Sequence, residues 1–93
     1  MQEKISYMSE IILSPGQCRA ARALIGWTRA DLSEKANVSQ ATLADFESGK
    51  PRNLYPRTLD DIQRTLEAAG VIFIASNGEG PGVRLRKEAS IAP

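Results

Sequence analysis

The chain has 93 residues, 42% of them hydrophobic, and carries a formal net charge of +1 with no histidine. That length holds one domain with one core, and the apolar fraction is that of a folded globular protein rather than a disordered chain. One cysteine and no histidine exclude an internal disulfide, a zinc-ligand set and an imidazole base, which argues against an enzyme and leaves no catalytic or metal site to assign.

Residues 1–13 read as an N-terminal arm in which Ile11-Ile12-Leu13 forms either a short strand or an apolar latch. The first helix opens at Ser14, an N-cap, with Pro15 at the first helical position and Gln17 placed as in a capping box. Cys18, Ala21, Leu24 and Ile25 recur at helical spacing and predict one apolar face, and Gly26 stops the helix. Arg19 and Arg22 fall on a different face. The second helix repeats the pattern: Thr28 caps it and Asp31 stands at the third helical position, favourable to the helix dipole. Leu32 and Ala36 face inward, Glu34 and Lys35 outward, and Trp27 staples onto Leu32 or a neighbouring helix. Asn37, one of the few residues that tolerates a left-handed backbone, ends it.

A third helix follows almost at once, capped by Ser39, with Leu43 and Phe46 inward and Gly49 at its end. Two short helices joined through Asn37-Val38 make a helix-turn-helix, spanning roughly residues 28–48. The two prolines in the segment 50–56 predict a loop. A fourth helix is expected from the Thr58 cap, with Asp61 completing the box, a stripe of Leu59, Ile62, Leu66 and Ala69, and Gly70 as the stop. Val71-Ile72-Phe73-Ile74 is β-branched and aromatic, and Val83 to Arg86 alternates apolar and basic, so a C-terminal β-hairpin closes the fold over 70–87. Residues 88–93 are left as a flexible tail. The domain proper is then 14–69, and the class is mainly α with a short hairpin.

Charge is distributed unevenly. From Ser14 to Pro56 the cations are Arg19, Arg22, Arg29, Lys35, Lys50 and Arg52, against Asp31, Glu34, Asp45 and Glu47. This mildly basic middle supplies a local patch but no strong nonspecific grip on a polyanion. No apolar run approaches the ~20 residues of a membrane span and the N-terminus lacks a signal-peptide pattern, so a cytoplasmic protein with no membrane partner is expected. Gly78, Gly80 and Gly82 follow a strand but precede no helix, so they are no phosphate-cradling loop, and no cofactor is expected.

The words "ARALIGWTRADLSEKANVSQATLADFESGKPRN" and "TLDDIQRTLEAAG" resemble the Cro/phage-repressor helix-turn-helix family, also called the xenobiotic-response-element class. The likeness runs from Gln17 to about Leu66. It rests on Leu32 and Ala36 in the second helix, the Asn-Val turn before Ser39, and Glu47-Ser48-Gly49 closing the third. It implies a four-helix, lambda-repressor-like fold and a small bacterial regulator that binds double-stranded DNA, with a recognition helix over about 39–48. By position the family pattern points to Ser39, Gln40, Ala41 and Asp45 as base readers. Side-chain chemistry agrees: the Gln40 amide can pair with adenine, Ala41 and Ala44 can meet a thymine methyl, and Asp45 can accept from cytosine. Thr28 and Arg29 open the second helix, where the family often has a backbone-contacting Gln, and Lys50, Arg52 and Asn53 follow the third; these are the phosphate-contact candidates.

Competing assignments accompany several of these residues. Asp45 can instead pair with a nearby Arg or Lys, and Arg29 with Asp31. Cys18 reads as a small core residue, with a redox switch as the alternative. Arg84 and Arg86 read as the solvated face of a strand. Because one helix-turn-helix covers little DNA, a homodimer on a two-fold operator is expected, with Val71, Ile72, Phe73 and Ile74 as the interface. Two other roles stay open: an antitoxin or accessory subunit that also binds a toxin partner and represses its own operon, and a protein-interaction module with a degenerate helix-turn-helix.

Overall fold

A computed structural model describes residues 13–50 and 54–87. Four helices are followed by an antiparallel hairpin: α1 (Pro15–Ile25), α2 (Arg29–Ala36), α3 (Gln40–Glu47), α4 (Pro56–Ala68), β1 (Val71–Ile74) and β2 (Gly82–Leu85). This is the mainly helical, lambda-repressor-like arrangement with a two-stranded appendix expected from the sequence.

Local chemistry sets the first three helix starts. At α1 the Ser14 hydroxyl accepts the Gln17 N–H and the Gln17 side chain accepts the Ser14 N–H, a complete capping box; Thr28 and Asp31 do the same for α2. Ser39 caps α3 by accepting the Thr42 N–H. Gly26 and Asn37 both take left-handed backbones, at φ 72 and φ 59, and so turn the chain between α1, α2 and α3.

The fourth helix departs from expectation. It begins at Pro56 rather than after Thr58, with Tyr55 as N-cap and no side-chain capping bond. Proline at the first helical position has no N–H to leave unsatisfied and its φ suits a helix, so Pro56 starts regular structure where a loop was expected. Asp61 does not close a box on Thr58; its backbone carbonyl instead accepts the Thr65 hydroxyl at 2.7 Å.

Leu32, Leu43, Ile62, Leu66, Val71 and Cys18 are fully buried and form the centre of the core, with Leu13, Ala21, Ile25 and Ala36 around them. Leu24 was expected on the buried face of α1 but is 39% exposed, because the apolar arc there is filled by Gln17, Cys18, Ala21 and Ile25. In the hairpin Val71 pairs Leu85 and Phe73 pairs Val83. Directly opposed residues share a face, and these four pack on the helices. Ile72, Ile74, Gly82 and Arg84 then share the other face. The second strand is Gly82–Leu85, one residue earlier than expected; beyond it Arg86 donates its N–H to the Gly70 carbonyl, in register with the ladder, and its guanidinium to the Glu67 carbonyl.

Gln17 ties the hairpin to α1. It is buried, its amide nitrogen donates to the carbonyls of Ile74 (3.2 Å) and Gly82 (3.0 Å), and its oxygen accepts the Ser14 N–H. The sequence marked it only as a capping residue. Of the expected arm only Leu13 is described, and it is buried; residues 1–12 and the tail from 88 lie outside the described residues.

Candidate nucleic-acid interface

The turn between α2 and α3 is held at both ends. Val38 donates its N–H to the Ser33 carbonyl at 3.0 Å, and the Ser33 hydroxyl donates back to the Val38 carbonyl. Val38 itself packs against the core, as do Phe46 and, from the loop before α4, Leu54. With Leu43 fully buried, α3 is anchored along one side and leaves the other open.

On that open side Ser39, Gln40 and Ala41 are exposed, and Ala44 and Asp45 are half-buried. Ser39 also has structural work, because its hydroxyl accepts the Thr42 N–H and donates to the Thr42 hydroxyl at 2.8 Å. Gln40 is thus the longest hydrogen-bonding side chain on the first exposed turn, and Ala41 beside it is small enough to let that turn approach a surface. Asp45 lies 3.3 Å from the Lys50 ammonium, the intramolecular pairing weighed above. Partial neutralisation by Lys50 reduces the repulsion Asp45 would meet near phosphate.

A residue that site reasoning passed over organises the base of α3. Glu47 is buried at 3% exposure, and its carboxylate is enclosed by groups from two other helices. Arg22 binds it bidentately, through Nε at 2.8 Å and Nη2 at 2.7 Å. The Cys18 thiol donates to Oε2 at 3.0 Å, and Arg29 Nε stands 3.6 Å from Oε1. Arg19 donates to the Glu47 backbone carbonyl, capping the last turn of α3. The signal was legible, since Glu47 stands four residues after Leu43 and therefore on the inward face of α3.

The titration behaviour follows from this enclosure. Burial is the largest influence on Glu47 and acts to raise its pKa. The bonds from Arg22 and Cys18, with the charges of Arg22 and Arg29, outweigh it and hold the carboxyl below the usual glutamate range. The Cys18 thiol is pushed far upward, first by burial and then by the adjacent carboxylate that takes its hydrogen. A thiol so held is inert, in keeping with a core role. Asp31 is lowered by the Thr28 N–H it accepts, a cap rather than a partner for Arg29.

The phosphate candidates fall into two groups. Arg29 and Lys50 converge with Arg19 and Arg22 on one concavity at the C-terminal end of α3, which Ala44, Asp45 and Ser48 also line. Thr28 is exposed at the same end of α2, its hydroxyl engaged as a cap. Arg52 and Asn53 lie outside the described residues. Trp27 packs against the core as expected and lines a concavity with Lys35, Thr65, Ala68 and Ala69, the Lys35 ammonium lying 5.4 Å from its ring centre. Of the four hairpin residues, Val71 is buried within the protomer and Phe73 packs on the core; Ile72 and Ile74 are half-buried on the outer face. Among the described residues no group of three or more His, Cys, Asp or Glu is placed to hold a metal ion, and no helix is long and apolar enough to cross a membrane.

Comparison with known proteins reaches the same segment. The helix-turn-helix family model matches residues 19–68, from within α1 to the end of α4. The antitoxin HipB of Escherichia coli (strain K12) is 34% identical over 70 residues, covering 71% of this chain and 78% of that protein. The antitoxin HipB of Escherichia coli O6:H1 (strain CFT073) is also 34% identical over 70 residues, covering 71% of this chain and 73% of the relative.

Proposed function

This chain belongs to the helix-turn-helix family of DNA-binding regulators, and from that membership we propose that it is a non-enzymatic, sequence-specific transcriptional regulator acting as a homodimer. The observation that carries the reading is the coincidence of the family match with a helix of the right construction. One side of α3 is anchored by Leu43 and Glu47, and its capped first turn offers Gln40 and Ala41 to solvent. In this reading α3 enters the major groove. Ser39, Gln40, Ala41, Ala44 and Asp45 face base edges, and Thr28, Arg29, Lys50, Arg52 and Asn53 meet phosphates.

The dimer is supported by the hairpin. Among the described residues the two-stranded sheet leaves an unpaired edge on each strand, and Ile72 and Ile74 add apolar surface on the outer face. Val71 would serve through its backbone, since its side chain already belongs to the protomer core. Sedimentation tests this: the chain should be a dimer at micromolar concentration, and Ile72→Asp with Ile74→Asp should release monomers. A parent that sediments as a monomer removes this part of the proposal.

A second reading is favoured by the relatives, both of which are antitoxins. The same chain would then bind a toxin protein as well as its own operator. Co-purification of a stable second protein encoded beside the gene supports it. DNA binding itself is tested by mobility shift with the gene's own promoter. Gln40→Ala should relax preference at one base position, whereas Lys50→Ala should weaken all sequences alike and flatten the salt dependence. Failure of the parent to bind any duplex would leave the interaction-module role in its place.

A further inference from the structure

We propose that Glu47 is a positioning residue for DNA binding: it holds Arg29 at the mouth of the concavity beside α3, so that the guanidinium meets phosphate already in place. The inference rests on the DNA-binding reading above and adds a residue that would itself touch no DNA.

The Glu47 carboxylate is saturated without Arg29. The two Glu47 oxygens already take two hydrogen bonds from Arg22 and the thiol hydrogen of Cys18. The carboxylate charge is therefore matched by Arg22, whose side chain is only 17% exposed. Arg29 is the additional cation. At 3.6 Å its Nε is held by charge without a hydrogen bond, its side chain is 47% exposed, and it makes no hydrogen bond among the described residues. The cations Arg19, Arg22, Arg29 and Lys50 line the concavity against the carboxylates of Glu47 and Asp45, which leaves it net positive. An arginine on a free rotamer loses much of its freedom when it binds phosphate; one tethered by its Nε edge keeps both Nη groups available and loses less. Glu47 sits on α3 and Arg29 opens α2, so the tether also fixes the phosphate-seating cation relative to the helix that reads bases.

The test is a double-substitution cycle read as the slope of log affinity against log salt, on one duplex that the parent binds. Arg29→Gln in the parent should reduce the slope by about 0.9, the loss of one phosphate contact. Glu47→Gln should reduce it by a similar amount although it removes a negative charge, and Arg29→Gln added to Glu47→Gln should change it little further. Equal losses from Arg29→Gln in both backgrounds, or a steeper slope in Glu47→Gln, would overturn the proposal while leaving DNA binding intact. A parent that binds no duplex overturns both. Should Glu47→Gln fail to fold, Glu47→Asp carries the cycle, and nuclear magnetic resonance of the free parent supplies an independent arm. The Arg29 Nε–H signal should titrate together with that of Arg22 as Glu47 protonates, and an Arg29 signal that stays flat while Arg22 moves refutes the tether.

Discussion

Replacing Gln17 by leucine should unlatch the hairpin from the helices at nearly constant side-chain volume. The substitution leaves the capping bond from the residue-17 N–H to Ser14 available, because that donor is backbone. What it removes is the partner of the Ser14 N–H at 2.9 Å and of the Ile74 and Gly82 carbonyls at 3.2 and 3.0 Å. A single intramolecular hydrogen bond contributes about 0.5–1.5 kcal/mol net. Ser14, Ile74 and Gly82 are half-buried, and the middle of that range applies to each of the three bonds. The sum is roughly 3 kcal/mol against a total stability of about 5–15 kcal/mol for a domain. At about 4–8 °C per kcal/mol for a domain of this size, the midpoint should fall on the order of 15 °C. Thermal unfolding followed by far-ultraviolet circular dichroism measures it, and hydrogen exchange should show the hairpin amides losing protection before those of α4. A fall of less than about 3 °C, under the effect of a single kcal/mol, would mean that water replaces these bonds freely and that Gln17 is no latch.

Two further predictions concern the packing of α3. Because the folded-state pKa of Glu47 lies below its unfolded value, the stability it contributes is complete above the unfolded value, ~4.3, and is lost as pH falls through the folded one. Urea melts over that acid range should show this loss in the parent, and Glu47→Gln should remove that share of it; an unchanged acid limb in the variant would contradict the assignment. Leu43→Ala, at a site with 0% exposure, should cost about 2–5 kcal/mol in the same melts, and a cost near zero would mean that α3 is not anchored as described.

How much of this was legible depended on whether the determining contact was local. The starts of α1, α2 and α3 are written within four residues, as Ser14 with Gln17, Thr28 with Asp31, and Ser39, and each formed where expected. The start of α4 was misread because two local signals competed. Thr58 and Asp61 imitate a capping box, while Pro56 supplies the pre-set φ that the helix uses. Leu24 was misplaced because apolarity alone does not show which arc of a helix is buried; the polar Gln17 occupies that arc, its amide spent on groups 57 and 65 residues away. No local pattern encodes such a contact. The base-facing and phosphate-facing residues were proposed from position and chemistry, and α3 does present Gln40 and Ala41 outward. The organising carboxylate of Glu47 was visible as an inward helical position, yet its charge made it read as part of a terminal motif.

The central claim, that α3 reads base sequence in the major groove, is tested most directly by selecting bound duplexes from a random pool with the full chain and with Gln40→Ala. The expected motif is two-fold symmetric, with half-sites about 10 bp apart, or a multiple of that spacing, centre to centre. With Gln40→Ala, one position in each half-site should lose about 1–3 kcal/mol of preference while the rest of the motif is kept. Recovery of no motif by the parent, or of an identical motif with unchanged preference by the variant, would contradict it.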